Sequence, residues 1–263
     1  MTAGDGVRTK VQDGVATLTI DREERRNALS WAVVEALRAG VAEARRDQAV
    51  RVLVLTGAGD RAFCAGADLT GMADGAGPTA LHDARGELAA LFDDLWSLGK
   101  PTIARVRGFA LAGGFGLALA CDLVVAAADA VFGTPELDVG LWPFMITVPL
   151  TRSMPPKVAL ELMLTGRRVD AAEAQRIGLV NRVVPASGLD AAVAELATTL
   201  AANPPEAMRL GRDSFYAVWG LSAAEALRQL HPLLSVVAAG DEAAEGIAAG
   251  VEKRKPPWAT PDG

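Results

Sequence analysis

Cysteine, histidine and tyrosine are scarce in this chain: two, two and one among 263 residues. Two cysteines, Cys64 and Cys121, each among apolar neighbours, make no disulfide scaffold, and a reducing compartment is the expectation. They lack metal-ligand spacing, and with only His82 and His231 to join them no zinc site is expected. Both histidines read as solvated or structural, His82 beside Asp83 and His231 before Pro232. The net charge of −6 excludes the broad basic face that nucleic acid needs, though not a local basic site for a phosphorylated ligand. No run approaches the roughly 18 apolar residues of a membrane span. The opening "MTAGDGVRTK" lacks an apolar signal core, so a cytoplasmic protein is expected. No G-x-S-x-G elbow, no Walker A loop and no G-x-G-x-x-G fingerprint is present.

What is present is ordinary globular material. Hydrophobic residues make up 51% and charged residues 22%, enough for one large domain or one domain with a small appendage. "VATLTI", residues 15–20, alternates and is β-branched, the pattern of a strand. Residues 30–45 carry a helical stripe of Val33, Val34, Leu37 and Val41, with Ser30 as N-cap. "VRVLVLTG", residues 50–57, is the continuous run of a fully buried strand. A loop of small residues follows over 57–72, then a helix over 79–98. "KPTIARVRG" gives another strand. "CDLVVAAADAVFG" gives two short ones around Asp129. This alternation predicts an α/β architecture with mainly parallel pairing. From Met145 on, the chain reads as chiefly helical. "AANPPEA", residues 201–207, marks a boundary, with helices expected over 206–218, 222–239 and 241–253.

Two glycine-rich turns follow buried strands: "FCAGADL", residues 63–69, and "ALAGGFG", residues 110–116. Glycine lets backbone approach a ligand, and a helix start offers free N–H groups. Two such turns side by side can aim two N–H groups at one oxygen, an oxyanion hole. The same glycines equally serve close packing of helix on strand. Past them, "VFGTPELDVGLWPFM" sets Glu136 in an apolar run with Phe132, Leu137, Leu141, Trp142 and Phe144. If the segment is extended, Glu136 and Asp138 share a face, and desolvation prepares a carboxylate for proton transfer. A surface turn is the competing reading.

Taken together, these segments resemble the enoyl-CoA hydratase/isomerase, or crotonase, superfamily nearly end to end. "DREERRNALS" looks like the family's N-terminal loop and "GAGDRAFCAGADL" like its first oxyanion and CoA loop. "VRGFALAGGFGLALACDLVVAAADAVFGTPEL" resembles its signature region. "ALELMLTGRRVDAAEAQRIGLVNRVV" resembles the stretch after the site, and "VEKRKPPW" its C-terminal end. The resemblance implies an α/β spiral of ββα units as an acyl-CoA-binding core over 1–200. It implies a helical region over 201–263 that drives assembly into homotrimers or dimers of trimers. A coenzyme A thioester is the implied substrate, with no permanently bound cofactor.

The resemblance also assigns residues. The N–H groups of Ala67 and Gly113 would hold the thioester oxygen. Ala65, Ala67, Asp68 and Gly114 would lie along the coenzyme, flanked by Asn27, Ala28 and Leu29, and Arg26 and Lys253 would meet its phosphates. Gly116, Leu141, Trp142 and Phe144 would line the acyl pocket. Residues 71–78, "GMADGAGP", would gate it. Hydratases of this family use two glutamates; the second matches Glu136, while the first falls at Gly116 and is absent. A lone Glu136 suits a proton shuttle between C2 and C4, as in the family's single-glutamate isomerases. The alternatives are hydration with one glutamate and a bound water or anion at Gly116, and acyl-CoA binding with little turnover.

Overall fold

A computed structural model describes residues 3–4, 6–68 and 77–259 of the protein. Of the expected gate, residues 71–76 lie outside the described residues. The strands are β1 (Ala3–Gly4), β2 (Val7–Gln12), β3 (Val15–Ile20), β4 (Val52–Gly57), β5 (Ala62–Cys64), β6 (Thr102–Val106), β7 (Phe109–Leu111), β8 (Leu123–Ala127), β9 (Val131–Gly133), β10 (Val169–Asp170) and β11 (Arg182–Val184). The helices are α1 (Trp31–Arg46), α2 (Pro78–Trp96), α3 (Gly113–Ala120), α4 (Thr147–Ser153), α5 (Pro156–Thr165), α6 (Ala171–Arg176), α7 (Leu189–Ala201), α8 (Pro205–Ala217), α9 (Ala223–Ala238) and α10 (Asp241–Glu252).

The strands form two sheets, β1-β2-β3-β4-β6-β8-β11 and β10-β9-β7-β5. From β3 to β11 every pair of the larger sheet is parallel, and β9-β7-β5 are parallel in the smaller. The expected α/β class is correct. The spiral of ββα units implied by the resemblance is present as well. Each turn of the chain lays one strand in the larger sheet and the next in the smaller before a helix, so β4-β5-α2, β6-β7-α3 and β8-β9-α4 wind as a spiral of ββα units. The residues read as a plain loop after β4 contain β5, whose three residues are too few to show a period. Gly108 makes the turn from β6 to β7 at φ +64°, where a Cβ would meet the Arg61 carbonyl oxygen at 2.2 Å.

Alternate residues of the larger sheet feed two cores. Leu53 and Leu55 face α1, α2 and α3, whereas Val52, Val54, Ile103 and Val125 face Leu189, Val193 and Leu196 of α7. Burial on both faces is why β4 is apolar without alternation. The α1 stripe is buried as its periodicity predicts, and the Ser30 side chain caps the Val33 amide. Among the described residues no helix is long and apolar enough to cross a membrane, and no cluster of metal-binding side chains occurs.

Helix α8 is fixed to the body by one ionic cluster. The Asp122 carboxylate accepts from the Thr102 amide at 2.7 Å, from Arg212 Nε at 2.7 Å and from the Tyr216 hydroxyl. The two Arg212 Nη atoms donate to the Leu95 and Trp96 carbonyls at the end of α2, at 2.6 and 2.9 Å. The arginine thus satisfies helix-end carbonyls and a carboxylate at once. Beyond α8 the helices are thinly covered. No residue of α9 is buried, and Leu227, Leu234 and Ile247 are all more than half exposed. Replacing Arg212 by Met strands Asp122 and uncaps α2. We expect a loss of about 3 kcal/mol in chemical denaturation, against less than half of that for Tyr216→Phe.

Candidate active site

The smaller sheet brings the site together. β5, β7 and β9 are neighbouring parallel strands, so their C-terminal ends lie side by side. Ala67 stands three residues past β5, Gly113 two past β7 and Glu136 three past β9. The first two turns touch: a Cβ on Gly66, at φ +98°, would stand 2.7 Å from the Ala112 Cβ. Ala112 itself takes φ 49°, ψ −128°, a conformation costly for any residue with a side chain, on the order of 1–3 kcal/mol. That strain turns the chain from β7 into α3, whose first amide belongs to Gly113.

Neither the Ala67 nor the Gly113 amide has an acceptor among the described residues. Residues 29 and 67 form a parallel bridge in which the Leu29 amide donates to Gly66 O and the Asp68 amide to Leu29 O. This leaves the Ala67 N–H pointing out of the pair. At Gly113 the first helical amide has no intrahelical partner by construction. Leu29 Cδ1 and Leu88 Cδ2 lie 3.5 and 3.3 Å from where a Gly113 Cβ would be, so apolar side chains flank the turn.

Glu136 sits in a 3₁₀ helix over Pro135–Val139, not in an extended segment. The shared face expected for Glu136 and Asp138 is therefore lost, and Asp138 is exposed. Glu136 Oε2 is buried and has no hydrogen-bond partner among the described residues. Burial pushes its carboxyl above the ordinary glutamate range, with its own backbone amide pulling the other way.

Several of the expected contact residues have partners within the protein. Asn27 is fully buried, and its amide is spent within the protein: Nδ2 donates to Ala58 O and Ala62 O, while Oδ1 accepts from the Arg22 amide. Its side chain ties two loops together. The Asp68 carboxylate is held by Arg22 Nη2 at 2.9 Å, and Arg22 Nη1 also holds Ala28 O. Arg22 is thus a structural residue that the sequence reading missed; its partner is 46 positions away and nothing local announces it. Gly114 is a packing residue, since a Cβ there would meet the Cys64 carbonyl oxygen at 2.4 Å. Ala65 is fixed by its amide, which donates to Arg26 O, while the Arg26 side chain is exposed. Lys253 caps α10 in the left-handed region, on the helical appendage.

Leu141 is 56% and Phe144 76% exposed, so both are open surface, and Trp142 is half-buried against the core. Gly116 is buried and faces no void. A Cβ there would stand 2.4 Å from Ile146 Cγ2 and 3.0 Å from Phe92 Cζ. The water or anion expected in its place has no room at that Cβ.

The enoyl-CoA hydratase/isomerase family model matches residues 10–261. A probable enoyl-CoA hydratase of Mycobacterium tuberculosis, echA8, is 37% identical over 92% of this chain and 93% of its own length. The carnitinyl-CoA dehydratase of Proteus mirabilis is 38% identical over 81% and 83%. An enoyl-CoA hydratase structure from Mycobacterium smegmatis superposes with TM-score 0.93 at 34% identity, covering 97% of this chain and 99% of that one. Two adjoining backbone turns, a half-buried carboxylate past the neighbouring strand and this similarity over nearly the whole length agree: the chain belongs to the enoyl-CoA hydratase/isomerase family.

Proposed function

We propose that the protein shifts the double bond of an enoyl-CoA thioester, with Glu136 as the one proton carrier. The observation that carries this reading is the buried Oε2 of Glu136, unpartnered among the described residues, beyond the same sheet ends as the Ala67 and Gly113 amides, which have no acceptor among the described residues either. The thioester oxygen accepts from both amides, which makes the C2 proton acidic. The Glu136 carboxylate removes that proton from a 3-enoyl thioester, and the C2 electron pair moves into the carbonyl as an enolate. The enolate then re-forms the carbonyl, the double bond moves to C2–C3, and Glu136 returns the proton at C4. No atom is gained or lost, and no cofactor takes part. Arg26 and Lys253 are read as the partners of the coenzyme phosphates, with Ala28, Leu29 and Ala65 along the coenzyme.

A second reading, hydration of a 2-enoyl thioester, is favoured by the names of the relatives, a hydratase and a dehydratase. One group would then take a proton from water and deliver one to C2, with the water anchored elsewhere. Binding without turnover is the third outcome. Conjugated-thioester absorbance separates all three: it rises with a 3-enoyl substrate, falls with a 2-enoyl substrate, or stays flat.

The core over 1–200 is read as the thioester-binding part and residues 201–263 as the association part. The support is the bare apolar surface of α9 and α10, which a lone helix pair does not keep in water. Three or six chains per particle are expected in light scattering, and a monomer at micromolar concentration sinks this assignment.

Glu136→Gln is expected to lower kcat about 100- to 10,000-fold with KM nearly unchanged. In the wild type, kcat/KM falls on the acid side at a pH above the ordinary glutamate value, because the base form is populated only above the raised pKa. The stability consequence has the opposite direction. The folded state holds this proton more tightly than the unfolded chain, so stability declines as pH rises from the ordinary carboxylate range through the raised value. Glu136→Gln therefore melts higher than wild type at pH 7 and not at pH 4. Gly66→Ala drives a Cβ into Ala112 and separates the two turns. It should cost about 100-fold or more in kcat while the thioester still binds in calorimetry.

A further inference from the structure

Three helices meet behind the Gly113 turn. Gly113 and Gly116 lie one helical turn apart on the same face of α3. Leu88 of α2 lies against Gly113, and Phe92, one turn further along α2, lies against Gly116. The third wall is Ile146, the N-cap residue of α4, which is 2% exposed. It ends the same segment that begins with Glu136, after the 3₁₀ turn and the left-handed Gly140. The approach of Ile146 to Gly116 is closer than any side chain at 116 tolerates. Both Ile146 Cγ2, at 2.4 Å, and Ile146 Cβ, at 2.9 Å, obstruct a Cβ there. A β-branched side chain has few χ1 alternatives, so the methyl group has nowhere to swing. Phe92 obstructs only with its ring tip, which gives more easily.

We propose that Ile146 selects the reaction: by filling the space in front of Gly116 it denies a second acid–base group, or a water held in its stead, any place beside the Gly113 turn. The inference rests on Glu136 as the proton carrier. Hydration adds the oxygen of a water to C3 and a proton to C2, and that water has to be anchored by a group other than the one that deprotonates it. Isomerisation needs one group that takes a proton and returns it. An aliphatic wall at 146 permits the second reaction and removes the anchor for the first. Gly116 and Ile146 are then one unit: a small residue on α3 and a bulky one on α4 that exchange volume.

The test compares wild type, Gly116→Glu, Ile146→Gly and the double variant, each with 3-hexenoyl-CoA and 2-hexenoyl-CoA. The double variant is expected to raise the hydration rate about 100-fold over wild type, with isomerisation retained. Gly116→Glu alone should lower the melting temperature and gain no hydration. A Gly116→Glu single variant that hydrates as well as the double, or a folded double variant with no gain, overturns the role of Ile146. Should the double variant fail to fold, Ile146→Ala decides: its hydration-to-isomerisation ratio rises over wild type if the inference holds, and an unchanged ratio in folded protein overturns it. A wild type that turns over neither substrate, or that hydrates as fast as it isomerises, sinks the proposed function itself. A wild type that isomerises beside an unresponsive double variant sinks only the assignment of Ile146.

Discussion

The contact on which the site depends is backbone against backbone, where the Gly66 turn meets the Ala112 turn. Two parallel strands of three residues each end side by side. Their next residues must approach within van der Waals distance for two amides to point the same way. One side of that contact is a glycine at positive φ, and the other is an alanine held in a conformation alanine avoids. The neighbouring packing over-determines both: Gly114 lies on Cys64, and the Ala112 amide donates to Gly133 O of β9 at 2.9 Å. The hydrogen bond to β9 links the two turns to the strand that delivers Glu136. Sheet register therefore holds all three groups, and no side-chain network is needed to do so.

Helix α3 shows how little freedom remains. It has no polar residue, and it is buried along almost its whole length. α2, α4 and β5 crowd it from different sides. Its small residues are the consequence of that crowding as much as of any ligand. The competition between close packing and backbone exposure, open in the sequence, resolves residue by residue. Gly114 and Gly116 face neighbouring protein, whereas Gly113 is partly accessible and its amide is free.

Much of this was legible in the residues. The buried runs and the α1 stripe gave the class, and β6, β8 and β9 were legible as strands. The two-sheet arrangement was not legible, because three-residue strands such as β5 and β7 carry no period. Glu136 stood out because a carboxylate in an apolar run is uncommon. The face that an extended segment would have shared between Glu136 and Asp138 is absent, since Pro135 opens a 3₁₀ turn, the competing reading. The structural part of Asn27 was not legible, because only the fold reveals the Ala58 and Ala62 carbonyls it serves. Ile146 was invisible for a related reason. Its significance lies in a contact with Gly116 thirty positions earlier, and no local pattern encodes it.

The buried cysteine beneath the turns has a practical consequence. Cys64 ends β5 directly under Gly114, and burial pushes its thiol up to about 12. While the turns stay in contact the sulfur is neither ionised nor reachable. Alkylation of Cys64 therefore requires that α3 leave β5 or that the chain unfold. With the modified cysteine identified, since Cys121 is buried as well, thiol accessibility reports on the packing between α3 and β5.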